Sequence, residues 1–467
     1  MRRKVLVPVW QLAVGLVLAA WAALDRLLLP SVRWFFRRRV NRAIEEVNTR
    51  LKVRLPAFKL TKRRVLVDRL VHDPKVAQAV ADYCRAENVP PAVAMERVER
   101  YAREIVPSFN AYLYFRLGTW LSKTLARTLY RVRIGASDDT VLSEIDPGAS
   151  IVFVMNHRSN MDYILLAYLA SDHAALSYAV GEWARIWPIQ QLIQSMGAFF
   201  VRRGSGNTLY RRVLERYVQM ATEGGVVQAM FPEGGLTRDG KLRPPKIGLL
   251  DYMLREFNPA GERDLVFVPI GVNYDRVLED RTLLLSKESD KPQPSALRAT
   301  LRALRFAGHN LGLIARGGWH RFGYAVVNFG RPISTRAYVE AAGIDFRRLD
   351  RPERIAAVQQ FADSLMGAVG RIVPVVPVSL VAAVFAADPQ AALSGLELKA
   401  RLQEQIEALE ARGAQIYVPR QSREYAVEVG LRMLTLRHLI TERQGLYRVN
   451  PANRAVLEYY ANAIGHL

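Results

Sequence analysis

The chain has 467 residues, 50% of them hydrophobic and 24% charged, which excludes wholesale disorder and leaves room for about two to four folded units. Lys and Arg number 66 against 44 Asp and Glu, a formal charge of +22, so acidic company is implied: nucleic acid, anionic lipid or phosphorylated substrate. The one cysteine, Cys84, excludes an internal disulfide and a cysteine-rich zinc site, and fits a reducing compartment.

The first predicted element is an anchor. From Val5 to Leu24, 20 residues carry Gln11 as their only strongly polar side chain. As a helix at a rise of about 1.5 Å per residue, they reach roughly 30 Å, the depth of a bilayer core. A secretory signal is the rival reading, but Asp25, Arg26 and a basic block follow the run where a small-residue cleavage site would stand. Residues 26–64 hold 13 Lys or Arg against Glu45 and Glu46, with Arg37-Arg38-Arg39 directly after Trp34-Phe35-Phe36. That pattern suits an anionic headgroup zone and places the body on the cytoplasmic side of a cell (inner) membrane. Whether the run crosses or only dips in stays open.

Residues 56–134 are predicted to be helical, with apolar positions recurring through Val76, Val80 and Tyr83 and then Val98, Tyr101, Ile105, Phe109 and Leu113. From about 135 short apolar runs take over: Ile151–Met155, Val226–Phe231, Leu265–Ile270 and Tyr324–Phe329. Helical stretches such as Met161–Leu169 and Leu209–Ala221 lie between them, so the fold class is α/β, a sheet of buried strands flanked by helices. Residues 284–322 read as a basic, partly helical insertion before the last strand. Helices return from about 350, notably Leu396–Ala411. The expected units are 1–55 (anchor and basic segment), 56–134 (helical), 135–345 (α/β) and 346–467 (mainly helical).

Chemistry concentrates where strands should end. In Asn156-His157-Arg158-Ser159-Asn160-Met161-Asp162, His157 and Asp162 stand five apart across a strand-to-helix turn, where a carboxylate can fix the imidazole's tautomer and stabilise its charged form. A satisfied core histidine is the bland alternative. In Phe231-Pro232-Glu233-Gly234-Gly235-Leu236-Thr237-Arg238, the glycines permit close backbone approach, Glu233 can accept from a hydroxyl, and Arg238 and the nearby Lys246 can bind phosphate; a surface turn is the alternative. Gly235 to Lys241 mimics a nucleotide-binding loop, but Leu242 offers no hydroxyl and Pro244-Pro245 blocks the required helix. Arg202-Arg203 after Gly197–Val201 could meet a dianion, or be surface charge. Val268–Asp275 is a core strand or a site wall. No G-x-S-x-G elbow, H-E-x-x-H motif or clustered His and Cys is present, which disfavours a serine hydrolase and a metal site.

In order, NHRSNMD, GAFFVRR, FPEGG-TR and VPIGVNYD resemble the four blocks of the glycerolipid acyltransferase family. LYRRVLERY, KLRPPKIGLLDYM, NYDRVLED and the C-terminal YYANAIGH resemble its bacterial membrane-bound glycerol-3-phosphate acyltransferase branch. The likeness covers roughly 60–467. It implies acyl transfer from acyl-CoA or acyl carrier protein to the 1-hydroxyl of glycerol 3-phosphate, giving lysophosphatidic acid in the first step of phospholipid synthesis. Lysophosphatidate or dihydroxyacetone phosphate is the alternative acceptor. The likeness further implies His157 as general base, Asp162 as its orienter, and Arg202, Arg203, Glu233, Gly234, Arg238 and Lys246 as substrate-binding residues, with Pro269 on the acyl side. It implies no cofactor, no metal and no nucleic acid, with the bilayer as partner. Leu236 departs from the branch, which usually has Arg there. Backbone donors near the His157 turn are the expected oxyanion site.

Overall fold

The structure, a computed structural model, describes residues 56–135, 145–170, 175–181, 189–202, 205–288 and 321–467. The predicted anchor, Arg203 and most of the basic insertion lie outside these residues. Among the described residues no helix is long and apolar enough to cross a membrane.

A mixed sheet forms the centre. Its strands are β1 (Arg131–Ile134), β2 (Ser150–Met155), β3 (Ser177–Val180), β4 (Phe199–Phe200), β5 (Gln228–Met230), β6 (Leu265–Tyr274), β7 (Tyr324–Phe329) and β8 (Ile333–Ser334). They lie in the order β1-β7-β6-β2-β5-β3-β4, with β8 also on β6. β2 pairs parallel with both β5 and β6, while β7 runs antiparallel to β6 and parallel to β1. Every residue of β2 and β6 is buried, as expected of central strands covered on both faces.

Pro269 sits in the middle of β6, where a proline would ordinarily forfeit a ladder bond. On that side β6 changes partner, from β8 at Val266 and Phe267 to β7 from Ile270 onward, so Pro269 occupies the gap and only its carbonyl is used, by Gly330 N–H at 2.9 Å.

Alternate side chains of β2 feed two cores. Ile151, Phe153 and Met155 join one with Val381, Phe385, Leu402, Leu434 and Tyr460. Those partners come from the helices Pro377–Ala387, Gly395–Ala411, Arg423–Leu436 and Arg454–Ala461. Val152 and Val154 join the other with Val98, Tyr101, Val213, Leu250 and Phe361. It is covered by Pro91–Ile105, Thr208–Glu223, Gly248–Leu254 and Arg351–Arg371. The C-terminal helices also carry a small antiparallel sheet of β9 (Leu393–Ser394), β10 (Ile440–Arg443) and β11 (Leu446–Val449).

The predicted strands and helices appear with shifted ends. Residues 131–134 correct the helical expectation for 56–134: Arg131 and Arg133 alternate with Val132 and Ile134, and the segment adds to the edge of β7. The mixed α/β sheet flanked by helices is what the residue pattern predicts.

Candidate active site

β2 ends at Met155, and the turn 156–160 leads into the helix Met161–Ala170, placing Asp162 in its first turn. Asn156 closes a two-way amide clasp with Val272 of β6, at 2.9 and 2.8 Å, which fixes the exit of the chain from the sheet. His157 Nδ1 lies 2.9 Å from Asp162 Oδ2. The same oxygen accepts Arg158 N–H at 2.7 Å and Ser159 N–H at 3.0 Å, and Oδ1 accepts the Tyr274 hydroxyl at 2.5 Å. Four donors therefore converge on one fully buried carboxylate. Burial, then the adjacent Asp162 charge, pushes the Tyr274 phenol well above its ordinary pKa, so it remains a donor. With Nδ1–H given to Asp162, Nε2 is left as the acceptor.

The imidazole stacks on Phe231 at a centroid distance of 4.1 Å and meets the edge of Tyr163 at 5.4 Å. It is only 3% exposed, yet it forms part of the wall of a cavity of about 400 Å³. That cavity also presents Gly234, Gly235 and the cationic Arg202, Arg211 and Lys246, with apolar Val201, Leu214 and Met230. Among the described residues a lone proton acceptor, three cations and an apolar wall share one space, which suits an anionic substrate carrying a hydroxyl and a partner carrying an alkyl chain.

The other expected residues are placed differently. Glu233 is 1% exposed and does not line the cavity; its carboxylate accepts His157 N–H at 2.8 Å and Arg243 N–H at 3.2 Å, tying the two loops together. Burial is the main reason its pKa is pushed up to about 7. Arg238 is exposed and outside the cavity lining. Arg202 lines it, but its guanidinium is held by both oxygens of Glu104, at 2.8 and 2.5 Å, between the rings of Tyr101 and Tyr210. Gly234 has φ +66°, and a Cβ there would lie 2.6 Å from Lys246 Cδ, so the glycine lets the lysine cross its face. Pro269 is buried in β6, away from the cavity lining.

The expected oxyanion donors are corrected. Each backbone N–H from His157 to Asp162 already has an acceptor: Glu233, Asp162 twice, Glu279, the Ser159 hydroxyl and the Ser159 carbonyl. The turn has spent its donors on its own shape.

Arg158 is the residue that sequence reasoning passed over. Its side chain is 3% exposed, donates to the Gly240 carbonyl at 2.9 Å, and lies 5.1 Å from the centroid of the Tyr459 ring. Nε and Nη2 find no partner among the described residues. Gly240 has φ +84°, and a Cβ on it would stand 1.9 Å from the Tyr459 carbonyl, so only glycine fits. Asn462 adds a bond to the Asp239 carbonyl at 2.9 Å. Phe231, Tyr274 and Tyr459 stand inside segments singled out in the sequence, but nothing in their spacing gives the three-dimensional contact.

Residues 138–273 match the family model described as "Acyltransferase", and residues 311–467 the one described as "Glycerol-3-phosphate acyltransferase C-terminal region". Over these stretches the chain is similar to acyltransferases. More particularly, it is similar to the glycerol-3-phosphate acyltransferase of Pseudomonas putida, 31% identical over 335 residues, or 69% of this chain and 38% of that protein. The enzyme of the same name from Aeromonas hydrophila is 29% identical over 362 residues, 75% of this chain and 43% of its own length. The chain thus spans less than half the length of these relatives. Among solved structures, the 1-acyl-sn-glycerophosphate acyltransferase PlsC of Thermotoga maritima aligns at 13% identity and a TM-score of 0.31, covering 65% of this chain and 96% of that one, too distant to speak for the fold.

Proposed function

We propose that the chain transfers a fatty acyl group from an acyl thioester, acyl-CoA or acyl carrier protein, to the 1-hydroxyl of glycerol 3-phosphate. His157 Nε2 takes the hydroxyl proton as that oxygen attacks the thioester carbonyl. The tetrahedral adduct collapses, the C–S bond breaks, and the imidazolium returns its proton to the departing thiolate, giving lysophosphatidate and free thiol. Asp162 holds the ring and stabilises its cationic form. Arg211 and Lys246 neutralise the phosphate, while Arg202, held by Glu104, can only lend it a remaining N–H. Gly234 serves as a cavity wall and Glu233 as loop support. A thioester is already activated, so the chemistry itself calls for no cofactor. Acyl donor and product both partition into lipid, which accords with attachment to the inner membrane and a body on the cytoplasmic side.

The observation that carries this reading is the His157–Asp162 pair opening on a cavity with three cations. The test is acyl transfer by purified protein to glycerol 3-phosphate, lysophosphatidate and dihydroxyacetone phosphate in parallel. General-base catalysis contributes roughly 10²–10⁴-fold. His157→Ala is expected to lose about that much of kcat, and Asp162→Asn a comparable amount. Near-normal turnover in a folded His157→Ala protein would sink the mechanism, and preference for another acceptor would reassign the substrate.

A further inference from the structure

Between Glu104 and Asp138 the sequence contains no acidic residue and five cations, Arg116, Lys123, Arg127, Arg131 and Arg133. The helical stretch Leu113–Leu129 turns Tyr114, Gly118, Ser122 and Ala126 inward, a spacing of four that defines its buried face. Its opposite face should be polar. Instead Trp120 is 60% exposed, with Leu117 at 42% and Tyr112 at 41%, interleaved with Arg116, Lys123 and Arg127. An exposed tryptophan beside leucine and bordered by basic side chains is the composition of a helix lying in a lipid–water interface.

That stripe runs directly into a second cavity, of about 560 Å³, whose lining includes Arg127, Arg131, Arg133 and Arg321 with Tyr130 and Tyr168. Among the described residues no carboxylate lines it, and none of the four arginines forms an ion pair. Arg131 and Arg133 alternate on β1, the edge strand, so the bland reading is an edge protected by charge. A protected edge needs no cavity and no exposed aromatic stripe alongside. Ile134, 50% exposed, belongs to the same lining.

The position is informative. β1 and β7 run opposite to β6, with Arg131 opposite Tyr324 and Tyr274 opposite Ala325. The start of β1 therefore lies at the end of the sheet where β2 and β6 release the His157 turn and Tyr274. Tyr130 touches Tyr274, which holds Asp162.

We infer that residues 112–134 form a face that lies on an anionic phospholipid bilayer, with Trp120 and Leu117 in the interface and the four-arginine cavity receiving lipid phosphate. The occupant is a bilayer because the cations border an apolar stripe; a soluble phosphate would have no use for the stripe. This contact is separate from the predicted anchor at residues 5–24, and it would set the catalytic end of the sheet toward the lipid. It does not depend on the acyl transfer reaction.

The test places an environment-sensitive fluorophore at Trp120→Cys in a full-length Cys84→Ser background, with a matched label at Leu396→Cys, an 80% exposed site on a C-terminal helix. On vesicles of phosphatidylglycerol and phosphatidylethanolamine the label at 120 should shift blue and brighten several-fold while that at 396 stays as in water. Charge reversal by Arg131→Glu with Arg133→Glu, both on exposed positions, should raise the lipid concentration needed at least about five-fold. A label at 120 that remains in water while flotation shows the protein on the vesicle overturns the inference. So does an equal response to phosphatidylcholine alone. Loss of the response with inorganic phosphate at the lipid-phosphate concentration would assign the cavity to a soluble anion instead. Because the readout is local, binding through residues 1–55 cannot imitate it, and an inactive protein still gives it.

Discussion

Asp162 receives four hydrogen bonds, and the two from side chains can each be removed singly. Tyr274→Phe deletes one to a charged acceptor, worth about 1.5–3 kcal/mol, while the ring keeps its place against Tyr130. We expect kcat to fall about ten-fold with KM for the acceptor unchanged, read from steady-state kinetics; a shared fall in both would move Tyr274 from positioning to binding. Glu233 makes a different prediction. Its folded pKa of about 7 lies above its ordinary value of 4.5, so between those values the folded protein holds more proton than the unfolded chain, and stability falls as pH rises. At full extent this is of order 3 kcal/mol. Asp275, buried and also pushed up to about 7, adds a slope of the same sign. Urea unfolding from pH 5 to 8 should show Glu233→Gln with a shallower decline, keeping the parts from Asp275 and from Glu279, whose carboxyl burial also pushes up. The His157–Asp162 pair was readable at this scale because five residues across a strand-to-helix turn leave few geometries. Glu233's duty was not: a carboxylate beside two glycines reads the same whether it faces a ligand or a backbone amide.

Elements that bury a continuous apolar run were plain in the sequence, and β2, β5, β6 and β7 lie where those runs lie. β3, β4 and β8, at two to four residues, are too short to show a period, and their pairing partners are distant in sequence. β1 hid because the helix Thr119–Leu129 ends at its doorstep. The loop 231–247 has its own logic. Lys246 N–H returns to the Pro232 carbonyl at 2.7 Å, and Thr237 N–H binds the His157 carbonyl at 3.0 Å. Its tip, Gly240, is pressed against Tyr459. Gly240→Ala forces both a left-handed backbone and a clash with a carbonyl, so we expect a loss of about 2–4 kcal/mol and lower turnover. Thermal unfolding and the transfer assay measure the two; Thr237→Ala, losing mainly the hydroxyl bond to the Lys241 carbonyl, should cost less.

Across the whole molecule the two cores share one sheet. Alternate residues of β2 enter each, and the C-terminal helices supply as much of the first as the sheet does. The described elements should therefore unfold together, with far-UV dichroism and tryptophan fluorescence giving one coincident transition; two separated steps would show that the cores are independent. Linear boundaries drawn from composition do not bear on this sharing, since patterning records which face of an element is apolar and not whose face it meets. Arg158 shows what such sharing entails. Someone who excised the segment matching the acyltransferase family, 138–273, would carry off His157 and Asp162 intact. They would leave behind the distant tyrosine that roofs the adjoining guanidinium, opening a buried cation to solvent. The severed piece would own every reagent and lack the clamp that keeps them still.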